Sequence, residues 1–317
     1  MKNGLILVIL IFVLNPFGTF AQNDSKNNDK YSLDGFKVAE QIVDTPNINS
    51  PQNLRIEVPY AVPEKWGFIK NVPSDLLQIA KFPFRQKNWI NLSIVAGSSA
   101  LLVWQDQCLL NGAKEWGKKL RINPDVQYKV AFKIGTTKIL KLPKNVNTAF
   151  YQLGEGGTSM LMAGALLAYG KIKHDNRSIQ TASDLAETFI SMGVATQLAK
   201  RAFGRQSPFM STQSGGRWLP FPSFSNYQKH TPQYDAFPSG HLATLMASVT
   251  VLTQNYPEKK WIKPVGYTLM TCTAFAMMNT DVHWAGDYPL ALALGYISGK
   301  ITTARHKKKI IINHNLM

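Results

Sequence analysis

Six helix-like runs, at 91–104, 157–169, 182–203, 241–252, 265–278 and 288–303, recur along this chain with polar loops between them; the third is amphipathic and the others largely apolar. In the third, Leu185, Phe189, Ile190, Val194 and Leu198 fall near a helical period. Small residues recur in several runs, as in GTSMLMAGALLAY at 157–169, and let helix backbones approach closely. None reaches the roughly 20 apolar residues of a confident membrane span. A buried bundle and a set of short membrane helices therefore both stay open. The predicted fold class is all-α: a helical bundle preceded by an irregular N-terminal extension.

The first 21 residues read as an export signal. Lys2 supplies a positive start, an apolar run covers 5–14, and Thr19-Phe20-Ala21 resembles a cleavage site. Residues 22–87 are expected to be a polar extension with a short strand near 53–63 and one short helix. That helix would be capped by Ser74, carry Leu76, Leu77, Ile79 and Ala80, and end near Pro83. Residues 88–305 are expected to form the helical domain, and 306–317 a basic tail. The expected location is exported, periplasmic or membrane-associated facing the periplasm.

Charged residues make up only 17% of the chain, below the roughly 25% usual for soluble proteins. The net charge of +16 attracts anions. Export makes nucleic acid the weakest candidate, leaving phosphorylated small molecules and lipid headgroups. Arg305 and Lys307, Lys308 and Lys309 form a cluster that suits either an anionic lipid surface or solvent. Cys108 and Cys272 have no zinc-like spacing, and Cys272 is expected as a buried thiol.

Three stretches carry candidate chemistry. In PSGH, a Ser-Gly pair before a helix frees backbone N–H groups that, with the helix dipole, favour an anion. Ser239 can cap that helix or donate to the anion, and His241 stands where it could protonate a leaving group. His283 and Asp287 are four residues apart in NTDVHWAGDYP. A carboxylate on one imidazole nitrogen leaves the other free as a nucleophile. Lys200, Arg201 and Arg205 crowd a helix end in AKRAFGRQSPF, suited to the helix dipole or to phosphate. The long loop 206–237, rich in Gly, Ser, Pro and aromatics, reads as a wall or lid.

Taken in order, these stretches resemble the phosphatidic acid phosphatase type 2 / vanadium haloperoxidase superfamily. Its pattern is Lys, six residues, Arg-Pro; then Pro-Ser-Gly-His; then Ser-Arg, five residues, His, three residues, Asp. The middle motif is complete at Pro238, Ser239, Gly240 and His241; Lys200, Pro208, His283 and Asp287 match the others. The resemblance implies a six-helix core and a metal-independent phosphatase without a cofactor. It implies His283 as nucleophile, Asp287 as its orienting partner and His241 as acid. It also implies Lys200, Ser239 and Gly240 as phosphate holders. The expected substrate is a phosphomonoester or diphosphate, chiefly of a lipid at a membrane surface.

Two positions depart from the pattern. Ser207 stands where the family has arginine, and Ala276-Met277 stands where it has Ser-Arg. Methionine cannot replace a guanidinium. Arg205 is the expected substitute clamp, with Arg201 and Arg217 as alternatives. The departures keep open a non-catalytic phosphate- or lipid-binding relative. A vanadate-dependent haloperoxidase ranks last, since vanadate needs more cations.

Overall fold

The computed structural model describes residues 60, 62–134 and 137–314. The export signal and most of the expected strand lie outside the described residues. After two short helices, α1 (Gly67–Lys70) and α2 (Val72–Lys81), comes the long α3 (Trp89–Lys119). A hairpin of β1 (Tyr128–Ile134) and β2 (Thr137–Pro143) follows, then α4 (Val146–Leu153) and α5 (Gly156–Lys173). The chain continues through α6 (Asn176–Phe203), α7 (Phe224–Lys229), α8 (Gly240–Asn255), α9 (Ile262–Asn279) and α10 (Tyr288–His314).

Each of the six runs lies within a helix of its own: α3, α5, α6, α8, α9 and α10. The ends follow local chemistry. Asp175 accepts the Arg177 amide at 3.0 Å to start α6, and Gly204 ends it with φ of 57°. Helix α2 starts differently from the expectation. Its N-cap is Asn71, and Pro73 occupies the first turn, where a missing N–H costs nothing. Ser74 sits inside the helix and accepts from Gln78 Nε2 at 3.3 Å.

The core forms where α8 lies along α10. Two glycines set that approach. A Cβ on Gly295 would lie 2.3 Å from the Ala243 carbonyl, and one on Gly299 would lie 2.8 Å from Thr250 Cβ. Leu242, Ala243, Met246, Met277, Met278 and Leu292 fill the space between these helices and α9. The head of α8, with His241, is thereby held against the turn before α10, which carries His283 and Asp287.

The hairpin was not expected. Its strands pair antiparallel, from Tyr128 opposite Pro143 to Ile134 opposite Thr137. The signal was present: Tyr128, Val130, Phe132 and Ile134 alternate with polar or small residues. The hairpin is joined to α4, and Gln152 Nε2 donates to the Lys141 carbonyl at 2.8 Å.

Arg305 is placed differently from the lipid- or solvent-facing cluster anticipated. Its guanidinium turns inward and pairs with Asp75 of α2 and Glu187 of α6. Two buried carboxylates draw one cation in, and this ties the N-terminal helices to the bundle. The side chains of Lys307, Lys308 and Lys309 lie outside the described ones. Both cysteines are free; Cys272 is partly buried, which raises its pKa.

Candidate active site

Ser239, with extended backbone, begins α8, and its hydroxyl accepts the Leu242 amide at 3.5 Å. Its own N–H donates to the Asp287 carbonyl at 3.0 Å. One hydrogen bond thus joins the two motif segments, 48 positions apart in the chain. The His241 and His283 rings stand with centroids 6.0 Å apart.

His283 is 3% exposed, and its Nδ1 lies 3.3 Å from Asp287 Oδ2. The same oxygen accepts the Trp284 amide at 2.8 Å, and the other accepts Arg205 Nη1 at 2.7 Å. Asp287 is fully buried. Burial alone would raise its pKa, but Arg205 and His283 outweigh it, and the carboxyl is held below its usual range. It therefore stays ionised and holds the His283 ring from one side.

His241 packs between Tyr151, whose ring centroid is 4.4 Å away, and Gly154, where a Cβ would lie 2.5 Å from His241 Cβ. Its Nε2 is buried without a hydrogen-bond partner. Burial, with His283 and Lys200 adding to it, lowers the imidazole pKa to about 3. The ring is neutral in the free site.

Lys200, in the last turn of α6, is 6% exposed. Its Nζ donates to the Asp235 carbonyl and lies 3.6 Å from Asp235 Oδ2. A Cβ on Gly240 would come 4.0 Å from Lys200 Cε, so the ammonium stem runs beside the Ser239-Gly240 turn. Lys200, Ser239, Gly240, His241, His283 and Asp287 are thus gathered in one place.

Arg205 takes a different position from the clamp expected of it. It has no solvent exposure, and its guanidinium bonds Asp287, Asp106 and the Gly215 carbonyl. Trp218 and Trp284 stack near it at 4.7 and 5.4 Å. With two carboxylates holding its planar fork, it orients Asp287 and does not face the imidazoles. Arg201 lies over the Tyr227 ring at 4.2 Å, and Arg217 is exposed on the loop.

Met277 answers what fills the space of the missing arginine. It is wholly buried, and its sulfur lies 3.5 Å from the Ser239 hydroxyl. Ser207 is also buried, its N–H bound to the Pro232 carbonyl at 2.9 Å. The loop 206–237 folds back on the end of α6: Leu219 donates to the Gly204 carbonyl at 2.8 Å, and Trp218 packs on Phe237.

Sequence reading missed Asp106, on α3, which also accepts the Gly286 amide at 2.7 Å. It is unexposed; burial raises its pKa to about 6, against the pull of Arg205. Nothing local marks it except an acid at the end of an apolar run. Tyr151, Gly154 and Asp235 were missed as well. Among the described residues, no group of three His, Cys, Asp or Glu could hold a metal ion.

The model of the PAP2 superfamily matches residues 181–311. This stretch is a PAP2-superfamily domain. The PAP2 domain contains every motif residue named above, from Lys200 to Asp287, whereas Asp106, Tyr151 and Gly154 reach it from outside the matched range. Lipid A 1-phosphatase of Porphyromonas gingivalis is 29% identical over 80 residues, 25% of this chain. That match spans only 18% of the relative's length. No solved structure matches the chain.

Proposed function

We propose that the chain is an exported phosphoric ester hydrolase that works without a metal, through a phosphohistidine. The observation that carries this is the facing pair His241 and His283, with Asp287 bonded behind His283. Asp287 on Nδ1 leaves Nε2 free to attack phosphorus. His241, neutral in the free site, takes up a proton when the anionic phosphoryl group binds beside it, and passes that proton to the leaving oxygen as the P–O bond breaks. Lys200 and the Gly240 amide hold phosphoryl oxygens. Water then cleaves the P–N bond and releases the product.

A lipid substrate is supported by the PAP2 match and by the name of the Porphyromonas gingivalis relative. It is also supported by surface chemistry. Between Lys87 and Asp106 the chain has no charge, and α3 exposes Trp89, Ile90, Leu92, Leu101 and Trp104 there. An apolar cavity of about 110 Å³ opens beside it, between α2, α3 and α10, lined by Ile79, Phe82, Leu92 and Leu294. Exposed apolar area of this extent suits a lipid surface. Among the described residues, no helix is long and apolar enough to cross a membrane.

A second reading, phosphate or lipid binding without turnover, is favoured by buried Met277 and by the engagement of Arg205 with two carboxylates. Release of phosphate from a lipid phosphomonoester, or of alcohol from a lipid phosphodiester, measured with purified protein, separates the two. The hydrolase reading expects release that His283→Ala reduces to background; release that survives the substitution overturns it. Silence in the unaltered protein, with release appearing in Met277→Arg, supports the binding reading.

A further inference from the structure

We propose that Asp235 sets the charge this site accepts, selecting a phosphoryl group with one negative charge, a phosphodiester, over a dianionic monoester. The inference rests on a phosphoryl group binding beside Lys200, as in the function proposed above, and narrows that reading.

The argument is electrostatic. Two cations lie at this site, Lys200 beside the Ser239-Gly240 turn and Arg205 behind Asp287, and three carboxylates answer them: Asp106, Asp235 and Asp287. Arg205 is spent on Asp106 and Asp287, both unexposed. Lys200 runs beside the Ser239-Gly240 turn, and the Asp235 carboxylate is 3.6 Å from its ammonium. The positions where the family has arginines hold Ser207 and Met277, which are neutral. With the His241 ring neutral, the cluster is one positive charge short before any substrate enters.

Asp235 also lies near the aromatic ring that packs on His241. It and Glu155 both act on Tyr151, whose ring lies against His241; burial first, then these two carboxylates, push the Tyr151 pKa up to about 12. Glu155 itself accepts the Tyr128 hydroxyl at 2.7 Å. An incoming phosphoryl group therefore meets a carboxylate beside the one cation it needs. A second negative charge on that group is repelled by Asp235 at short range, where screening by water is weakest. In the diester reaction, the His283 Nε2–P bond forms as one P–O bond breaks, and the freed alkoxide takes the proton that His241 gained from solvent as the anion bound. Water then splits the P–N bond, releasing a phosphomonoester.

The test uses the full chain and Asp235→Asn, which keeps the shape and the backbone carbonyl on Lys200. Turnover of bis(p-nitrophenyl) phosphate and of p-nitrophenyl phosphate is compared at mildly alkaline pH, where the monoester is a dianion. Removing one negative charge near the substrate should raise kcat/KM for the monoester by about tenfold or more, and change the diester by less than about threefold. A monoester rate that is unchanged or falls overturns the proposal. Calorimetry with inorganic phosphate and dimethyl phosphate reads the same selectivity without turnover. If neither ester is hydrolysed, the hydrolase reading fails. Charge selection still stands if Asp235→Asn binds inorganic phosphate about tenfold tighter with dimethyl phosphate unmoved, and falls if the two ligands shift alike.

Discussion

Arg205 carries a full charge with no solvent exposure, and its two carboxylate partners are what chiefly offset that cost. Its replacement by methionine would leave Asp287 buried without that cation and drive Asp106, already raised to about 6, towards its protonated form. Arg205→Met should therefore cost about 3–5 kcal/mol, measured by chemical denaturation near neutral pH. The loss should shrink in acid, where the carboxylates protonate. A variant as stable as the parent would show that the pair is dispensable. The same residue illustrates why a cation near a motif in sequence need not serve the motif's ligand. Two residues separate Arg205 from Ser207, yet it points at acids supplied by α3 and by the turn before α10.

At the scale of elements, α4 is what closes the imidazole face of the site. Gly154 ends α4 with φ of −82°, ordinary for any residue. Alanine there meets no backbone strain, only His241, whose Cβ a new methyl would approach to 2.5 Å. Gly154→Ala should lower phosphoester turnover by about tenfold or more through displacement of His241, since small misplacements of reacting groups are costly. Its thermal midpoint should fall as well, because the clash is with His241 Cβ and Cα, which move only with the head of α8. Unchanged turnover would show that His241 can shift without consequence. Helix α4 was not read from the sequence at all, since only the order of motifs identified His241 as part of a site. That order was legible because each motif is short: a cap residue, a turn, and an i, i+4 pair are local geometry. Asp106 and Tyr151 were not legible, because their proximity to the motifs depends on how α3 and α4 pack.

The whole molecule is held across its N-terminal edge by Arg305, which joins α10 to Asp75 on α2 and Glu187 on α6. Two carboxylates share one guanidinium in a buried setting. Burial, with Asp75 adding to it, pushes the Glu187 pKa from 4.5 to about 7, against Asn71 and Arg305. A carboxyl raised in the folded state binds its proton more tightly there than when unfolded. Its contribution to stability is full below about pH 4.5 and is lost as pH rises through about 7. Glu187→Gln should therefore flatten part of the fall in denaturation midpoint between those limits, relative to the parent chain. An unchanged pH slope would show that Glu187 is not strained by its neighbours.

What the sequence determined by itself was periodic or local. Six helix-like runs became six helices, because a face that repeats with the helical turn must be buried against something. The Ser239 cap and the His283–Asp287 pairing followed from spacing alone. The hairpin carried a readable alternation that went unread. Only the tertiary structure decided which charges meet: Arg205 with Asp106 and Asp287, Lys200 with Asp235, Arg305 with Asp75 and Glu187. Electrostatic partners are set by distance through space and by burial, and neither is encoded in separation along the chain. The same holds for Met277. The sequence says that an arginine is missing, but the fold decides that a sulfur, and not a cation, lies against Ser239.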